Sequence, residues 1–432
     1  MNDAPSPDRH QVQRQIDEAL PRNFWTLAVN QIAMRIGWVF RTETVIIPTF
    51  VDGLGASGAV RGLLPVIGRI GASLPQLLAA PALSRLPRQK GAYFVANCLQ
   101  GFPWVLIALL LLFIPLSPGA MLAWFMVLYT LSAAGYGLCS LSFGTLQGKL
   151  IPPRQRGKLL ASFGLVGGTS AIVGAALLLP LFLTAQKTDY GPVFALCGGL
   201  FVVATFILLG IREPAVPPRG LPPGLGGFIR DSWRMMGQDR NFRLLIWVVT
   251  LMYLTLLLFP HYTVFGMRRV GVTPQSFVTL IIAQNSVNAA GSFLFGNLAD
   301  RRGNRAMLRL MTVVAATVPL LAVLISCLPA SIAPHAYPVV YACLGFTPVS
   351  QRIVTNYTLE IAPQERHPQY LGILSVMQAI PIFASPLVGW AIDRISFEPV
   401  FLCFAGLMFV GSFLSIWLIE PREKEQGSGV RG

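Results

Sequence analysis

Apolar stretches, each bounded by a short polar or proline-bearing turn, follow one another through nearly the whole chain. A helix needs about 20 apolar residues to cross the hydrocarbon core of a bilayer. Lipid offers no partner for an unpaired backbone group, so such stretches must be helical. The pattern predicts twelve spans, at 24–50, 58–83, 91–115, 119–148, 157–184, 190–211, 242–266, 274–299, 306–328, 336–360, 369–393 and 397–419. The third and fourth meet at Pro115-Leu116-Ser117-Pro118-Gly119, and the ninth and tenth around Pro329 and Pro334. The fold class expected is an all-α integral membrane protein of twelve transmembrane helices in two six-helix bundles.

Composition agrees with this pattern. The 432 residues are 54% hydrophobic and only 12% charged, against about 25% charged in a globular protein. The first 23 residues do not read as a signal peptide. They mix Asp3, Asp8, Asp17 and Glu18 with basic residues, and the apolar stretch behind them is too long and contains Arg35.

Of 33 Lys and Arg residues, 24 fall on the face that carries the N-terminus. They lie in the N-terminal tail, around 85–90, 149–158, 212–243 and 301–309, at Arg366, and in the C-terminal tail. Lys187, Arg268, Arg269 and Arg394 fall on the other face, and Arg35, Arg41, Arg61, Arg69 and Arg352 lie within or at the edge of helices. This bias predicts both termini in the cytoplasm and a multi-pass protein of the cytoplasmic (inner) membrane. The net charge of +15 then serves insertion and contact with anionic lipid headgroups. A nucleic-acid partner is not expected, because the basic residues are scattered over short loops. The six cysteines sit in different apolar spans with no Cys-x-x-Cys pair, and the four histidines show no ligand spacing. No metal or cofactor is expected, and a monomer is.

The longest polar segment, 212–241, contains Pro214, Pro217, Pro218, Pro222 and Pro223, followed by Gly224, Gly226 and Gly227. It reads as a cytoplasmic linker, with a short amphipathic helix over 227–239 presenting Phe228, Trp233 and Met236. The chain thus divides into a tail (1–23), a six-helix bundle (24–211), the linker (212–241), a second bundle (242–419) and a tail (420–432). The halves resemble copies of one another. The sixth span ends Ile211-Arg212-Glu213-Pro214 and the twelfth Ile419-Glu420-Pro421-Arg422. Pro153-Arg154-Gln155-Arg156 recurs as Pro363-Gln364-Glu365-Arg366. Repeated six-helix units are characteristic of transporters that rock one half against the other.

Between the eighth and ninth spans stands Gly296-Asn297-Leu298-Ala299-Asp300-Arg301-Arg302-Gly303-Asn304-Arg305. Gly303 suits a tight turn, and the arginines hold the loop in the cytoplasm. The string resembles the Gly-x-Leu-x-Asp-Arg-x-Gly-Arg-Lys loop of the major facilitator superfamily, which occurs between helices 2 and 3 and often again between helices 8 and 9. Ser385 to Asp393 is similar to the end of that family's helix 11, and Pro153 to Lys158 to its loop 4–5. The resemblance covers roughly 24–420. It implies the superfamily's fold and transport by alternating access. It further implies a gating loop made of Gly296, Asp300, Arg301, Gly303 and Arg305, with Asp300 docking against the fifth span or Arg156. The first-half counterpart is degenerate, since Arg85 and Arg88 align with Asp300 and Gly303. The Gly-Pro signature of drug/proton antiporters on helix 5 and the sugar-porter signature after helix 6 are both missing, which weighs against multidrug export and sugar uptake.

A phosphate-binding loop for ATP requires Gly-x4-Gly-Lys-Ser/Thr. The nearest string, Gly144 to Leu150, has the wrong spacing and closes an apolar helix, so uphill transport would draw on an ion gradient. A charge at a helix centre costs about 2.5–3.5 kcal/mol by insertion scales, so it needs a partner or water. Arg35 shares a helical stripe with Gln31, Trp38 and Thr42. Arg69 lies with Pro65, Ser73 and Gln76, and Arg352 with Pro348, Thr355 and Asn356. Tyr129, Ser132, Tyr136, Ser140 and Phe143 form a stripe in the fourth span. Tyr253 and His261 lie in the seventh, and Gln284 and Asn288 in the eighth. In the family, helices 1, 4, 7 and 10 line the central cavity. The candidate solute contacts are therefore Arg35, Arg352, Arg69, Trp38, Tyr129, Tyr136, Tyr253, Gln284 and Asn288, suited to a small polar or anionic organic solute. The competing reading pairs the arginines internally. Glu43, read as inside the first span, is the candidate for proton coupling, or pairs with Arg41 or Arg69. Partners expected are the solute, protons or another coupling ion, and lipid. Three alternatives stay open: a sensor or assembly factor that keeps the fold without transporting, an uncoupled facilitative carrier, and a multidrug exporter.

Overall fold

The computed structural model describes residues 9–184, 188–215, 239–363 and 366–420. These form helices α1 (Arg9–Val39), α2 (Ile46–Gly53), α3 (Gly58–Ser84), α4 (Lys90–Phe113), α5 (Pro118–Leu150), α6 (Pro153–Phe182), α7 (Tyr190–Ile207), α8 (Arg240–Met252) and α9 (Thr255–Phe265). They continue as α10 (Ser276–Arg302), α11 (Asn304–Ser326), α12 (Ala333–Ala336), α13 (Pro338–Leu344), α14 (Thr347–Ile361), α15 (His367–Ala379), α16 (Ser385–Arg394) and α17 (Phe397–Leu414). The one extended pairing among the described residues joins Leu183 and Thr188. Nine stretches among them are long and apolar enough to cross a membrane. The other three expected spans, the first, eighth and tenth, correspond to α1 with α2, to α10, and to α13 with α14. Large apolar side chains such as Leu78, Phe113, Leu165 and Phe413 stand exposed on these helices, as lipid-facing positions must. The expected linker helix over 227–239 and the ends of both tails lie outside the described residues.

Several expected spans are not continuous rods. The first was expected to run unbroken over 24–50; instead α1 starts at Arg9 and stops at Val39, and α2 resumes at Ile46. Glu43 therefore lies in the break and not inside a helix. The break leaves the Thr44 carbonyl without a helical donor, and the hydroxyls of Thr263 and Tyr341 supply the bonds instead. The tenth span divides at Gly345–Phe346, just before Pro348, whose missing N–H interrupts the ladder. The eleventh passes through a 3-10 turn over Ile380–Ala384, which contains Pro381 and is followed by Pro386. Other ends are capped as their sequence suggests. Ser117 accepts from the Ala120 N–H at the start of α5, and Asp239 accepts from the Phe242 N–H at the start of α8.

By contacts the chain forms two compact units. Unit 1 comprises Met1–Thr42 and Ile67–Pro222; unit 2 comprises Glu43–Val66 and Pro223–Gly432. The core of unit 1 gathers Leu27, Tyr93, Cys139, Leu146, Leu159 and Leu208. That of unit 2 gathers Phe242, Leu245, Val249, Met307, Val354 and Tyr357. Glycines set the closest approaches. A Cβ on Gly71 or Gly137 would strike the backbone of the facing helix, so α3 and α5 touch there directly.

Candidate functional site

Within unit 1 the polar side chains of α1 divide by depth. Asn30 is buried and donates to the Ala204 carbonyl at 2.8 Å. The Tyr93 hydroxyl donates to Asn30 Oδ1 at 2.7 Å and accepts from Gln31 Nε2 at 2.9 Å. This network ties α1 to α4 and α7. One turn on, Arg35 is half-buried and lies along a glycine floor on α6. A Cβ on Gly167 would come within 3.2 Å of Arg35 Cδ, and one on Gly164 within 3.8 Å of Nη1. The glycine-rich run of the fifth span is thus the groove that admits this side chain, where a larger residue would press on its stem.

The next turn holds Trp38, packed edge-on to Tyr136 with centroids 5.2 Å apart. The Arg41 guanidinium sits 3.7 Å above the Trp38 ring and 5.3 Å from that of Trp104. Such a stack favours a cation through the ring quadrupole. Trp104 Nε1 donates to Ser132 Oγ at 2.8 Å, and Ser132 in turn donates to the Gln100 carbonyl. The fourth-span stripe therefore splits. Tyr129 and Ser132 are buried, Tyr129 stacking on Phe125 at 5.7 Å, whereas Tyr136 and Ser140 are exposed. Arg69 is half-buried on α3.

Within unit 2, α14 turns Val349, Ser350, Ile353, Val354 and Tyr357 inward. Pro348, Gln351, Arg352 and Asn356 stay exposed, and Arg352 has no hydrogen bond or ion pair among the described residues. Gln351 accepts from the Tyr253 hydroxyl at 2.6 Å. A polar stripe of this kind on a membrane helix is stable only against water or a polar ligand. Gln284 accepts from Thr44 Oγ1 at 2.8 Å, and Asn288 lies half-buried one turn along α10. The structure thus brings Trp38 and Tyr136 together in one unit, and ties Tyr253 to the arginine-bearing face of α14 in the other.

In the loop after α10, Gly303 takes φ +84° and ends the helix, as its place in the motif requires. Arg301 and Arg302 are exposed, and Arg305 pairs with Glu420 at 3.2 Å. Arg156 caps the end of α5, donating to the Ile151 and Gly148 carbonyls. Gly296 and Asp300 lie on α10, but the Asp300 side chain is not among the described groups, and so neither is its expected docking.

The sequence reading passed over a charge cluster in unit 2. Arg61, 1% exposed, pairs with Asp52 and reaches Asp393 at 3.5 Å, while Arg268 also binds Asp52 at 2.7 Å. Arg269 pairs with Glu398 at 2.9 Å. Arg268 and Arg269, two of the four basic residues assigned to the face opposite the N-terminus, are thus neutralised by acids. The available signal was Gly58-Ala59-Val60-Arg61-Gly62, a small-residue spacing that places an arginine at a helix crossing.

These features define a multi-pass helical membrane protein of the transporter class, with arginines held inside its spans. A sequence profile described as the Major Facilitator Superfamily matches residues 32–386 and, in a second alignment, 271–431; the chain belongs to that superfamily. No curated protein matches the sequence. Among solved structures it is similar to a mutant of the nucleoside transporter NupG, with TM-score 0.70 and 13% identity over 92% of this chain and 100% of that one. It is also similar to a D-xylose-proton symporter, with TM-score 0.70 and 14% identity over 92% and 98%. A third is the peptide transporter POT in complex with sulfate, with TM-score 0.70 and 12% identity over 95% and 98%. At such identity the likeness establishes the fold alone.

Proposed function

We propose that this chain is a secondary active transporter of the cytoplasmic membrane, with both termini cytoplasmic. It moves a small polar or anionic organic solute by alternating access and draws on an ion gradient. The observation that carries this reading is Arg35, a guanidinium inside a span, laid in a groove that Gly164 and Gly167 keep open. A guanidinium at that depth is costly unless it meets a polar group or water, and a solute's polar group can serve. Arg352 on α14, with Gln351 beside it, offers a second guanidinium on an exposed polar stripe. A planar guanidinium fork suits a carboxylate or phosphate better than a neutral sugar. The solutes named for the similar structures, a nucleoside, a pentose and peptides, are all polar.

The test is reconstitution in proteoliposomes and a screen of carboxylates, phosphorylated solutes, nucleosides, sugars and short peptides, with and without a pH gradient. Uptake of one class, stimulated by the gradient, is expected. Arg35→Gln and Arg352→Gln should each lower uptake of that solute about tenfold or more, as loss of a charge-assisted bond implies. Unaltered uptake in both variants removes the arginines from the site. Glu43→Gln should abolish gradient-driven accumulation while leaving exchange intact; accumulation that persists removes Glu43 from coupling.

A further inference from the structure

Two of the broken spans meet a third around one small cavity in unit 2. The seventh span breaks between Met252, the last residue of α8, and Thr255, the first of α9. The tenth breaks at Gly345–Phe346, after Cys343 and Leu344 have closed α13. With Met311 of α11 they enclose a cavity of about 20 Å³, room for one water-sized body and too little for an organic solute. Three sulfur-bearing side chains line it, Met252, Met311 and Cys343, one from each of three spans. Met252 and Met311 are 2% and 1% exposed, and Cys343 is half-buried. Thr255 is buried in the same wall, and its Oγ1 has no hydrogen-bond partner among the described residues. Methionine usually fills irregular gaps in a core. Here a gap persists beside two of them.

We propose that this cavity is a binding site for a soft monovalent cation, Cu(I), held by the sulfurs of Met252, Met311 and Cys343. Thioether and thiolate are the donors that select Cu(I) over harder ions. Charge selects it too. Binding exchanges the thiol proton for the metal ion, and the proton passes to bulk buffer. The monovalent cation and the thiolate then sum to zero, so the site escapes the cost of a net charge inside a span. Zn²⁺ would leave one positive charge and an unfilled ligand position, since the described lining holds no carboxylate or imidazole. The Thr255 hydroxyl supplies a hydrogen bond to the thiolate that binding creates, as outer partners of metal ligands do. A water needs two to four polar partners. Most of this lining is apolar or sulfur, and Ser350 already donates its hydroxyl proton to the Thr347 carbonyl at 2.7 Å. The spacing of cysteines and histidines along the chain could not announce this set, because two of its three donors are methionines. The proposal stands independently of the transport reading, because none of the three sulfur residues is a candidate solute contact.

The purified full-length protein in detergent is equilibrated with Cu(I) under ascorbate, buffered by bicinchoninate so that a lone thiol holds none. Copper retained after desalting is measured. So is the rate at which N-ethylmaleimide modifies each of the six cysteines, resolved by peptide mass spectrometry. One equivalent of copper should be retained. It should slow modification of Cys343 about tenfold, because a metal-bound thiolate is no longer a free nucleophile, while the other cysteines keep their rates. Met252→Leu and Met311→Leu conserve volume and should stay folded. Each should weaken retention about tenfold or more, since even the outer partners of a metal ligand are worth that much. Cys343→Ser should retain none, and X-ray absorption at the copper edge should show only sulfur neighbours. Thermal midpoints matching the parent certify the fold of each variant. Should Cys343→Ser fail that check, the Met252→Leu, Met311→Leu double variant takes its place and must lose the protection of Cys343. No retained copper in the natural protein overturns the site. Retention that survives unchanged in the folded methionine variants also overturns it, because the copper then belongs to a cysteine alone.

Discussion

Each unit ends on a glutamate that faces the start of its own third membrane helix, yet the two glutamates are held very differently. In unit 1 the Glu213 carboxylate, 1% exposed, accepts from the Gln89 and Lys90 N–H groups and from Lys149 Nζ, all at 2.6–2.9 Å. It caps α4 from more than a hundred residues away, satisfying donors a helix start leaves open and meeting the positive end of its dipole. In unit 2 Glu420 is 11% exposed and pairs with Arg305 at 3.2 Å, while its Oε1 has no hydrogen-bond partner among the described residues. The turns explain the contrast. A loop over 85–89 precedes α4 and leaves two N–H groups for a distant acid. A single residue, Gly303 at φ +84°, links α10 directly to α11. The half whose loop motif has lost its acidic residue, with Arg85 in its place, is the half that holds a fixed cap. The half with the intact motif carries a looser pair. A loop held by one ion pair to a half-satisfied acid is easier to release than one held by a buried cap with three donors.

The largest expected effect tests that contrast directly. Glu213→Ala strands the buried end of α4 and the Lys149 ammonium, and should destabilise the protein by about 3 kcal/mol, the scale for breaking a buried pair. Glu420→Ala should cost about 1 kcal/mol or less, since it breaks one partly exposed pair and also removes an oxygen with no hydrogen-bond partner among the described residues. Thermal unfolding midpoints in detergent read both. Equal losses would end the comparison. Lys149→Met added to Glu213→Ala should recover part of the loss, since it removes one of the stranded groups.

The repeat of Ile-x-Glu-Pro and Ile-Glu-Pro was visible in the sequence, but not its purpose. The glutamates' partners, Gln89, Lys90 and Arg305, lie more than a hundred positions away, and no local pattern points to them. The same reason hid part of the Arg61 cluster: Asp52 lies only 9 positions away, but Asp393 lies 332 positions off. Hydropathy did place the spans, because lipid imposes one rule on every residue of a crossing helix. It missed the break at 40–45, since Val45 to Phe50 continue the apolar run; the break is held by Thr263 and Tyr341, over two hundred positions distant. Of the candidate site, Arg35 and its groove were legible as two separate features, a charge in the first span and glycines in the fifth. Their contact was not.

A smaller effect is expected at the turn that separates the two arrangements. Gly303→Ala should cost about 2 kcal/mol, because φ +84° with ψ 152° is a conformation open to little besides glycine. A Cβ there would also stand 3.1 Å from Glu420 Oε1. Gly91→Ala, in the first turn of α4 where a Cβ meets nothing within 4 Å, should stabilise slightly or leave stability unchanged.

Two asparagines sharpen the comparison further. Asn23 is fully buried and holds the Arg212 backbone through both its carbonyl and its N–H, each at 2.9 Å. Asn241 accepts from the Ile419 N–H at 3.0 Å and donates to the Tyr357 hydroxyl at 3.3 Å. Replacing either by alanine removes two bonds. Asn23→Ala should cost about 2 kcal/mol, since it removes two bonds made by a fully buried amide, and Asn241→Ala, at a half-buried position, about 1 kcal/mol. The same midpoints check the order, which reverses if unit 2 holds its terminal glutamate the more tightly.

The smallest effect is the most specific. Arg305→Gln removes the one ion pair Glu420 makes among the described residues, and should cost about 0.5 kcal/mol at low salt. That cost should vanish near 1 M salt, where screening acts within about 3 Å. Lys149→Gln should keep most of its cost at the same salt, because Glu213 is shielded and still binds two backbone N–H groups. Measuring both variants at low and high salt separates a loop held by a partly exposed pair from one held by a buried cap. A salt dependence shared by both variants would mean that the two glutamates, whatever their geometry, are held by the same force.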